Sequence, residues 1–245
     1  IGGAQGSDGQ VLTSTGSGVG WEDASGGGIS YKSEGTNFSG SLIVGHDTTG
    51  TLSSATDNTA VGLDNLQDIT SGTKNQMMGA YCGRNITSGS SNTGIGWKTL
   101  DGLTDGNQNV CIGYGNVRYA SGILRSTSLG YNALSDASLS GNDNIAVGWM
   151  AGSNVTTGTY NIAIGQDSQS SDTGQTGDHN IGIGKYAQSK MEGGSNNIAI
   201  GESTLYNAST ADDSIAIGKN ALNTVTNNNA NIAIGYYALD VATGD

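Results

Sequence analysis

A five-residue phrase recurs along this chain at an almost constant spacing, and this repeat restricts the possible folds more than any other feature. The phrase reads Asn, apolar, small, apolar, Gly, as in NTGIG at 92–96 and NIAIG at 161–165. Its final glycines are Gly45, Gly62, Gly79, Gly96, Gly113, Gly130, Gly148, Gly165, Gly184, Gly201, Gly218 and Gly235. Successive glycines are 17 residues apart, except for one step of 18 and one of 19. Such a repeat indicates an array in which each unit packs on its neighbours.

The repeat phrase has the alternation of a β-strand. Large apolar and small residues alternate with period two, so Ile162 and Ile164 face one way and Ala163 faces the other. A short second strand is expected around the Ala-Leu pair that follows the glycine, as at 133–134. Two short strands and two turns account for the 17 residues of one rung of a parallel β-helix or β-roll.

Composition alone would suggest disorder. Ile, Leu, Val and Phe make up 44 of 245 residues and the formal net charge is −12, a combination typical of unfolded chains. Proline is absent, which fits stacked strands because proline cannot donate to a hydrogen-bond ladder. The regular repeat favours a folded chain over a disordered one, and we predict an all-β solenoid shaft of twelve repeats at 41–245. A connector module with short strands is expected at 1–40.

Charge and hydropathy exclude two classes of partner. Nine Lys and Arg against 21 Asp and Glu leave no basic patch for nucleic acid. No stretch of 18 apolar residues is present, so we expect no insertion into a membrane. Because the chain begins with Ile1 rather than Met, we expect it to be part of a longer protein.

A single rung cannot be stable alone. Three large apolar side chains per rung contribute roughly 5–9 kcal/mol on burial, whereas ordering 17 residues costs roughly 25 kcal/mol. Stacked rungs offset part of this cost, and identical copies packed or intertwined around a common axis offset more. We therefore expect an oligomer, with a homotrimer as the natural closed arrangement for a fibre. It should resist heat or SDS.

Two columns of the repeat are expected to be structural. One is the glycine column, represented by Gly62, Gly96, Gly113, Gly148, Gly165, Gly184, Gly201 and Gly235. The other begins the phrase and contains Asn58, Asn92, Asn161, Asn197 and Asn231. The asparagines could form a row of ligand-binding groups. We favour a ladder at the corner of each rung that hydrogen-bonds the backbone.

An aromatic column follows the glycine in four consecutive rungs, at Trp97, Tyr114, Tyr131 and Trp149. These residues are candidate glycan contacts. An aromatic ladder that packs along the rod or between subunits is the favoured interpretation, because stacked identical positions produce such ladders.

No catalytic, metal or cofactor site is indicated. Cys82 and Cys111 replace small residues of the repeat, two rungs apart, and His46 and His179 stand alone. No nucleophile, base and acid occur together, and the Asp residues of the turns match no calcium-loop spacing. We therefore expect a protein that is not an enzyme and needs no cofactor.

Several segments resemble known repeats. NIAIGYYAL at 231–239, SIAIGKNAL at 214–222 and STSLGYNAL at 126–134 are similar to the head repeats of YadA-type trimeric autotransporter adhesins. They are still more similar to the related repeats of phage tail fibres. GSDGQVLTSTGSGVGW at 6–21 resembles a module of such fibres. The resemblance implies a homotrimeric tail-fibre segment in the virion, extracellular, that contacts other fibre or tail proteins and a host cell-surface glycan or protein.

Two other functions could be built on a similar repeat, and the sequence fails to meet the requirement of the second. The first is the head of a bacterial trimeric surface adhesin, which the same repeats would fit. The second is an ice-binding solenoid, which requires a continuous outward row of threonines. Thr59, Thr93 and Thr127 begin such a row, but Ile145 and later residues interrupt it.

Overall fold

The structure is a computed structural model that describes residues 10–14, 19–23, 31–46, 48–136, 138–225 and 229–242. These residues form strands and turns, with no helix among them. Accordingly, the described ranges contain no helix suited to crossing a membrane. The strands are β1 (Gln10–Ser14), β2 (Val19–Asp23), β3 (Tyr31–Ser33), β4 (Leu42–Val44), β5 (Thr59–Val61), β6 (Gln76–Met78), β7 (Thr93–Ile95), β8 (Val110–Tyr114), β9 (Thr127–Tyr131), β10 (Ile145–Trp149), β11 (Ile162–Ile164), β12 (Ile181–Ile183), β13 (Ile198–Ile200), β14 (Ile215–Ile217), β15 (Thr224–Val225), β16 (Ile232–Ile234) and β17 (Val241–Ala242).

Thirteen of these strands form one long sheet. Strands β4 to β14 and β16 follow one another in parallel, and β3 pairs antiparallel with β4. The register sets equivalent residues of successive repeats side by side, so that Ile198 pairs with Ile215 and Ala199 with Ala216. The prediction of an all-β solenoid with rungs of about 17 residues is confirmed. Strands β1 and β2 form a separate antiparallel pair in the N-terminal segment.

The prediction of a second strand in each rung is wrong for most described rungs. Ala133 and Leu134 lie in a turn, and the only second-strand pair that the described residues form is β15 with β17. The backbone explains the difference. Asn132 and Leu134 both have φ of 50°, and the same left-handed conformation recurs two and four residues after the repeat glycine along the solenoid. Two left-handed residues so close together bend the chain and prevent an extended strand.

The interior of the rungs differs from our expectation of three large buried apolar residues. The second residue of each parallel strand points inward and is small in most rungs, as at Ala146 and Ala199, whereas Ile43 and Met77 fill this position in β4 and β6. Leu100 and Leu205 from the following turn, and Ile69 and Ile123 from the opposite turn, also lie in the core. The isoleucines at the first and third strand positions lie on the outside. In rungs with a small residue at the inward position, neighbouring core side chains leave little space beside it. Even a Cβ added to Gly94, which occupies the small position, would lie 2.7 Å from Sγ of Cys82.

The repeat glycines are required by both conformation and space. Their φ angles run from 121° to 141°, a region that residues with a Cβ rarely adopt. A Cβ at Gly148 would also lie 2.8 Å from the carbonyl oxygen of Gly165 in the next rung. Each glycine therefore allows the next rung to stack directly on it.

Glutamines interrupt the apolar core. Gln169 and Gln188 occupy the position that holds leucine in most other rungs, and both are fully buried. The Gln169 Nε2 donates to Gln188 Oε1 at 2.8 Å and to the carbonyl of Asn180 at 3.2 Å. The core consequently divides into one apolar cluster on the N-terminal side and another that begins at Ala187.

Candidate functional site: the outer face of the sheet

The first and third residues of the twelve parallel strands point away from the interior, and we call this surface the outer face. Its first column contains Leu42, Thr59, Gln76, Thr93, Val110, Thr127, Ile145, Ile162, Ile181, Ile198, Ile215 and Ile232. Its second column contains Val44, Val61, Met78, Ile95, Ile112, Leu129, Val147, Ile164, Ile183, Ile200, Ile217 and Ile234. Neither column contains a charged residue, although the chain carries 21 acidic residues.

The outer face is a solvent-exposed apolar stripe. Met78 is 56% exposed, Ile112 is 39% exposed and Ile200 is 37% exposed. Twelve strands spaced about 4.8 Å apart give a stripe on the order of 50 Å long. At a width of about 10 Å it covers roughly 500 Å², the upper range for a soluble monomer, and patches of this size usually mark interaction sites.

The two halves of the outer face differ in polarity. In the first six rungs, the first column holds Thr59, Gln76, Thr93 and Thr127 among its residues, so that apolar and polar columns run side by side. From β10 onward the first column is isoleucine throughout. A groove of about 350 Å³ lies over β5, β6 and β7 in the mixed half. The apolar contact surface is therefore strongest in the C-terminal six rungs.

The predicted asparagine column forms a ladder inside the solenoid. Asn58, Asn92 and Asn197 are fully buried, and Asn161 is 1% exposed; Asn231, in the last rung, is half-buried. Asn92 Nδ2 donates to the carbonyl of Gly106 at 2.8 Å, and Asn92 Oδ1 accepts from the backbone N–H of Asn109 at 3.0 Å. These side chains satisfy backbone groups of the next rung, a role that follows from the turn chemistry of asparagine.

Replacing Asn92 with Ala should therefore destabilise the solenoid by about 3 kcal/mol, because two buried backbone groups lose their partners. Asn92→Ser should cost less. Serine occurs naturally in this column at Ser126, whose hydroxyl accepts from the backbone N–H of Asn144 at 3.3 Å. Thermal unfolding followed by circular dichroism measures both variants. Equal stability of the alanine and serine variants would contradict the ladder.

A second polar ladder follows the opposite turn, and sequence reasoning missed it. Asn107 Oδ1 accepts from the backbone N–H of Ser90 at 2.8 Å, and Asp212 Oδ1 accepts from that of Ser195 at 2.7 Å. The signal was present as a column of Ser, Asn and Asp within the polar turns. It was hidden because turns are generally polar for other reasons.

The four aromatic residues stack on one another along the rod. Ring centroids are 4.6 Å apart for Trp97 and Tyr114, 4.9 Å for Tyr114 and Tyr131, and 6.3 Å for Tyr131 and Trp149. Both faces of the two tyrosines are thus covered by neighbouring rings, and Lys98 Nζ lies over the Trp97 ring at 4.6 Å. A glycan contact here remains a prediction, restricted to ring edges and to the far face of Trp149.

A small charged cluster lies beside this ladder. Asp101 is 6% exposed, and Arg84 Nε lies 3.1 Å from its Oδ1. Burial raises the pKa of the Asp101 carboxyl, while Arg84, Lys98 and Arg118 lower it in part. The cluster concentrates positive charge on an otherwise acidic chain, and the buried carboxylate partly neutralises it.

The two cysteines are core residues. Both are fully buried and free, and burial raises the pKa of Cys82 to about 12 and that of Cys111 to about 12. Such thiols are protonated at neutral pH and poor nucleophiles. Within the described part of the chain, no three His, Cys, Asp or Glu residues are grouped closely enough to hold a metal ion.

Comparison with known proteins adds no assignment to this geometry. No protein-family model, no curated protein and no solved structure matches the chain.

Proposed function

We propose that the chain is a structural and adhesive segment of a phage tail fibre, a homotrimeric shaft that takes part in host attachment as part of the virion. The observation that carries this proposal is the outer face. A chain with charges elsewhere on its surface keeps both columns of the outer face free of charged residues over twelve rungs, with one column apolar throughout and the other apolar from β10 onward. A contact with an identical rod explains this pattern, because the repeat then matches itself over its whole length.

Three copies fit the outer face well. The stripe is only two side chains wide, and a threefold axis brings three such stripes into one closed apolar core. The aromatic column would then lie at the border of that core. The likeness of the repeats to those of phage tail fibres supports the same arrangement and favours a fibre over other rods.

Sedimentation of the 245-residue chain tests the arrangement. The expected mass is three times 24.6 kDa, retained when the sample is heated in SDS below the unfolding temperature. A dimer, formed by two outer faces packed as a sandwich, would contradict the trimer but retain the outer face as the contact. A monomer with the outer face exposed would overturn both.

Electron microscopy tests the fibre assignment. Gold-labelled antibodies against this chain should decorate the tail fibres of phage particles from the source of the sequence. Label on the envelope of uninfected bacteria would instead indicate a surface adhesin.

A further inference from the structure

A second surface feature lies on the turns that follow β10, β11, β12 and β13. It is a groove of about 420 Å³, within the range of small-ligand sites. The residues that matter for its chemistry are Ser153, Asp167, Asp172, Tyr186, Lys190 and Tyr206. All of them belong to turns and none to the outer face.

Two tyrosines give the groove its aromatic surfaces. The rings of Tyr186 and Tyr206 stand at 78° to each other with centroids 6.1 Å apart. The faces of these two rings therefore point in different directions, whereas the rings of the aromatic ladder are nearly parallel. Neither hydroxyl makes a hydrogen bond to any described residue, so both remain available to a ligand. A ring with a free polar end suits ligands that have both apolar and hydroxyl-bearing sides.

Two polar side chains of the groove, Ser153 and Asp172, lack protein partners in the described structure. Ser153 is 2% exposed, and its Oγ has no hydrogen-bond partner in the described structure. Such a buried hydroxyl normally finds a partner, and this one lines the groove. The Asp172 carboxylate is exposed and makes no hydrogen bond or ion pair with any described residue.

Two other residues of the groove, Asp167 and Lys190, contact neighbouring side chains. Asp167 has φ of 52°, a left-handed conformation at the corner of its rung. Its carboxylate accepts from Gln166 Nε2 at 3.1 Å, and its carbonyl accepts from Ser170 Oγ at 3.0 Å. Lys190 Nζ lies over the Tyr206 ring at 5.1 Å. The groove therefore combines Asp167 and Lys190, which contact neighbouring side chains, with the unpartnered Asp172 carboxylate.

We propose that this groove binds an uncharged saccharide. The tyrosine rings can pack against the C–H face of a pyranose, while the carboxylates accept hydrogen bonds from its hydroxyls and Lys190 donates to its oxygens. Lys185 Nζ lies over the Tyr186 ring at 4.8 Å, so two ammonium groups offset the two carboxylates. The groove therefore has no excess of positive charge to attract sialic or uronic acids. The inference rests on the proposed attachment function, for which it names the ligand class.

Saturation-transfer NMR and calorimetry with the full chain test the proposal. The probes are oligosaccharides of glucose, galactose, mannose and N-acetylglucosamine, three to six units long, and a matched set ending in sialic or uronic acid. We expect the chain to bind members of the neutral set at least tenfold more tightly than their acidic counterparts. Tyr206→Ala and Asp172→Asn should each weaken that binding at least tenfold.

The matched controls are Tyr119→Ala, which removes an exposed tyrosine ring on another rung, and Asp105→Asn, which removes the charge of an exposed carboxylate outside the groove. They should leave binding unchanged, and all four variants should keep the circular dichroism spectrum and mass of the parent. A trimer that binds no neutral probe, or binds it equally well without Tyr206, overturns the saccharide site alone. A monomer that still binds neutral probes overturns the trimer and keeps the site.

Discussion

Replacing Ile200 with Glu is expected to dissociate the proposed homotrimer into single chains. Ile200 lies in the second column of the outer face within the all-isoleucine half, and it is 37% exposed in the single chain. Packing three copies would bring three carboxylates into one apolar core with no partner. At several kcal/mol for each buried charge, the penalty is on the order of 10 kcal/mol per trimer.

The readout is the mass of the folded protein in solution. Sedimentation should report a single chain for Ile200→Glu, while the circular dichroism spectrum should still show β-structure at low temperature. The control is Thr157→Glu, which adds the same charge to an exposed turn and should remain trimeric. A trimeric Ile200→Glu variant would show that copies do not meet through the outer face.

Replacing Gly113 with Ala should prevent the central rungs from stacking, whereas Gly235→Ala should cost only about 1–3 kcal/mol. Both glycines have similar backbones, with φ of 137° and 132°, so both variants carry the conformational strain. Only at Gly113 would the new Cβ overlap the carbonyl oxygen of Gly130 in the next rung. At Gly235 the nearest atom to a new Cβ is the Ala238 Cβ at 3.9 Å.

Comparing these two variants separates the cost of backbone strain from the cost of disturbed stacking between rungs. We expect Gly113→Ala to lower the free energy of unfolding by more than about 4 kcal/mol. Few single substitutions cost this much, and severe steric overlap is one cause. Melting temperature and yield of soluble protein report the difference. If the two variants lose similar amounts, the glycine column is required by backbone conformation and not by contact between rungs.

The length of the rung and the position of its strand could be predicted from the sequence because both depend on a local pattern that recurs twelve times. Alternation places Ile162 and Ala163 on opposite faces whatever surrounds them. Which face is inside could not be predicted this way. Hydrophobicity favours isoleucine for the core, but the inward strand position holds a small residue such as Ala163 in most rungs, and Ile162 lies on the outer face.

The sharp turns were missed for a different reason. Val117 and Lys98 both have φ of 51°, although neither residue type favours the left-handed region. The stacked rungs impose this conformation, so no single repeat signals it. The groove at Tyr186 and Tyr206 escaped prediction because the two columns that supply most of its lining, two and five residues after the repeat glycine, hold different residue types from rung to rung, as with Asp167 and Tyr186.

The mixed first column of the outer face has a consequence for how copies of the rod find their alignment. Where every rung presents isoleucine, as from β10 to β16, two copies could slide by one rung and still meet equivalent neighbours. The N-terminal rungs remove that freedom, because Gln76 and Val110 interrupt the threonines at fixed places. A shifted copy would set Gln76 against Thr59 or Thr93 and change every neighbouring contact. The C-terminal half of the shaft would thus hold the chains together, while the N-terminal half sets the register between them.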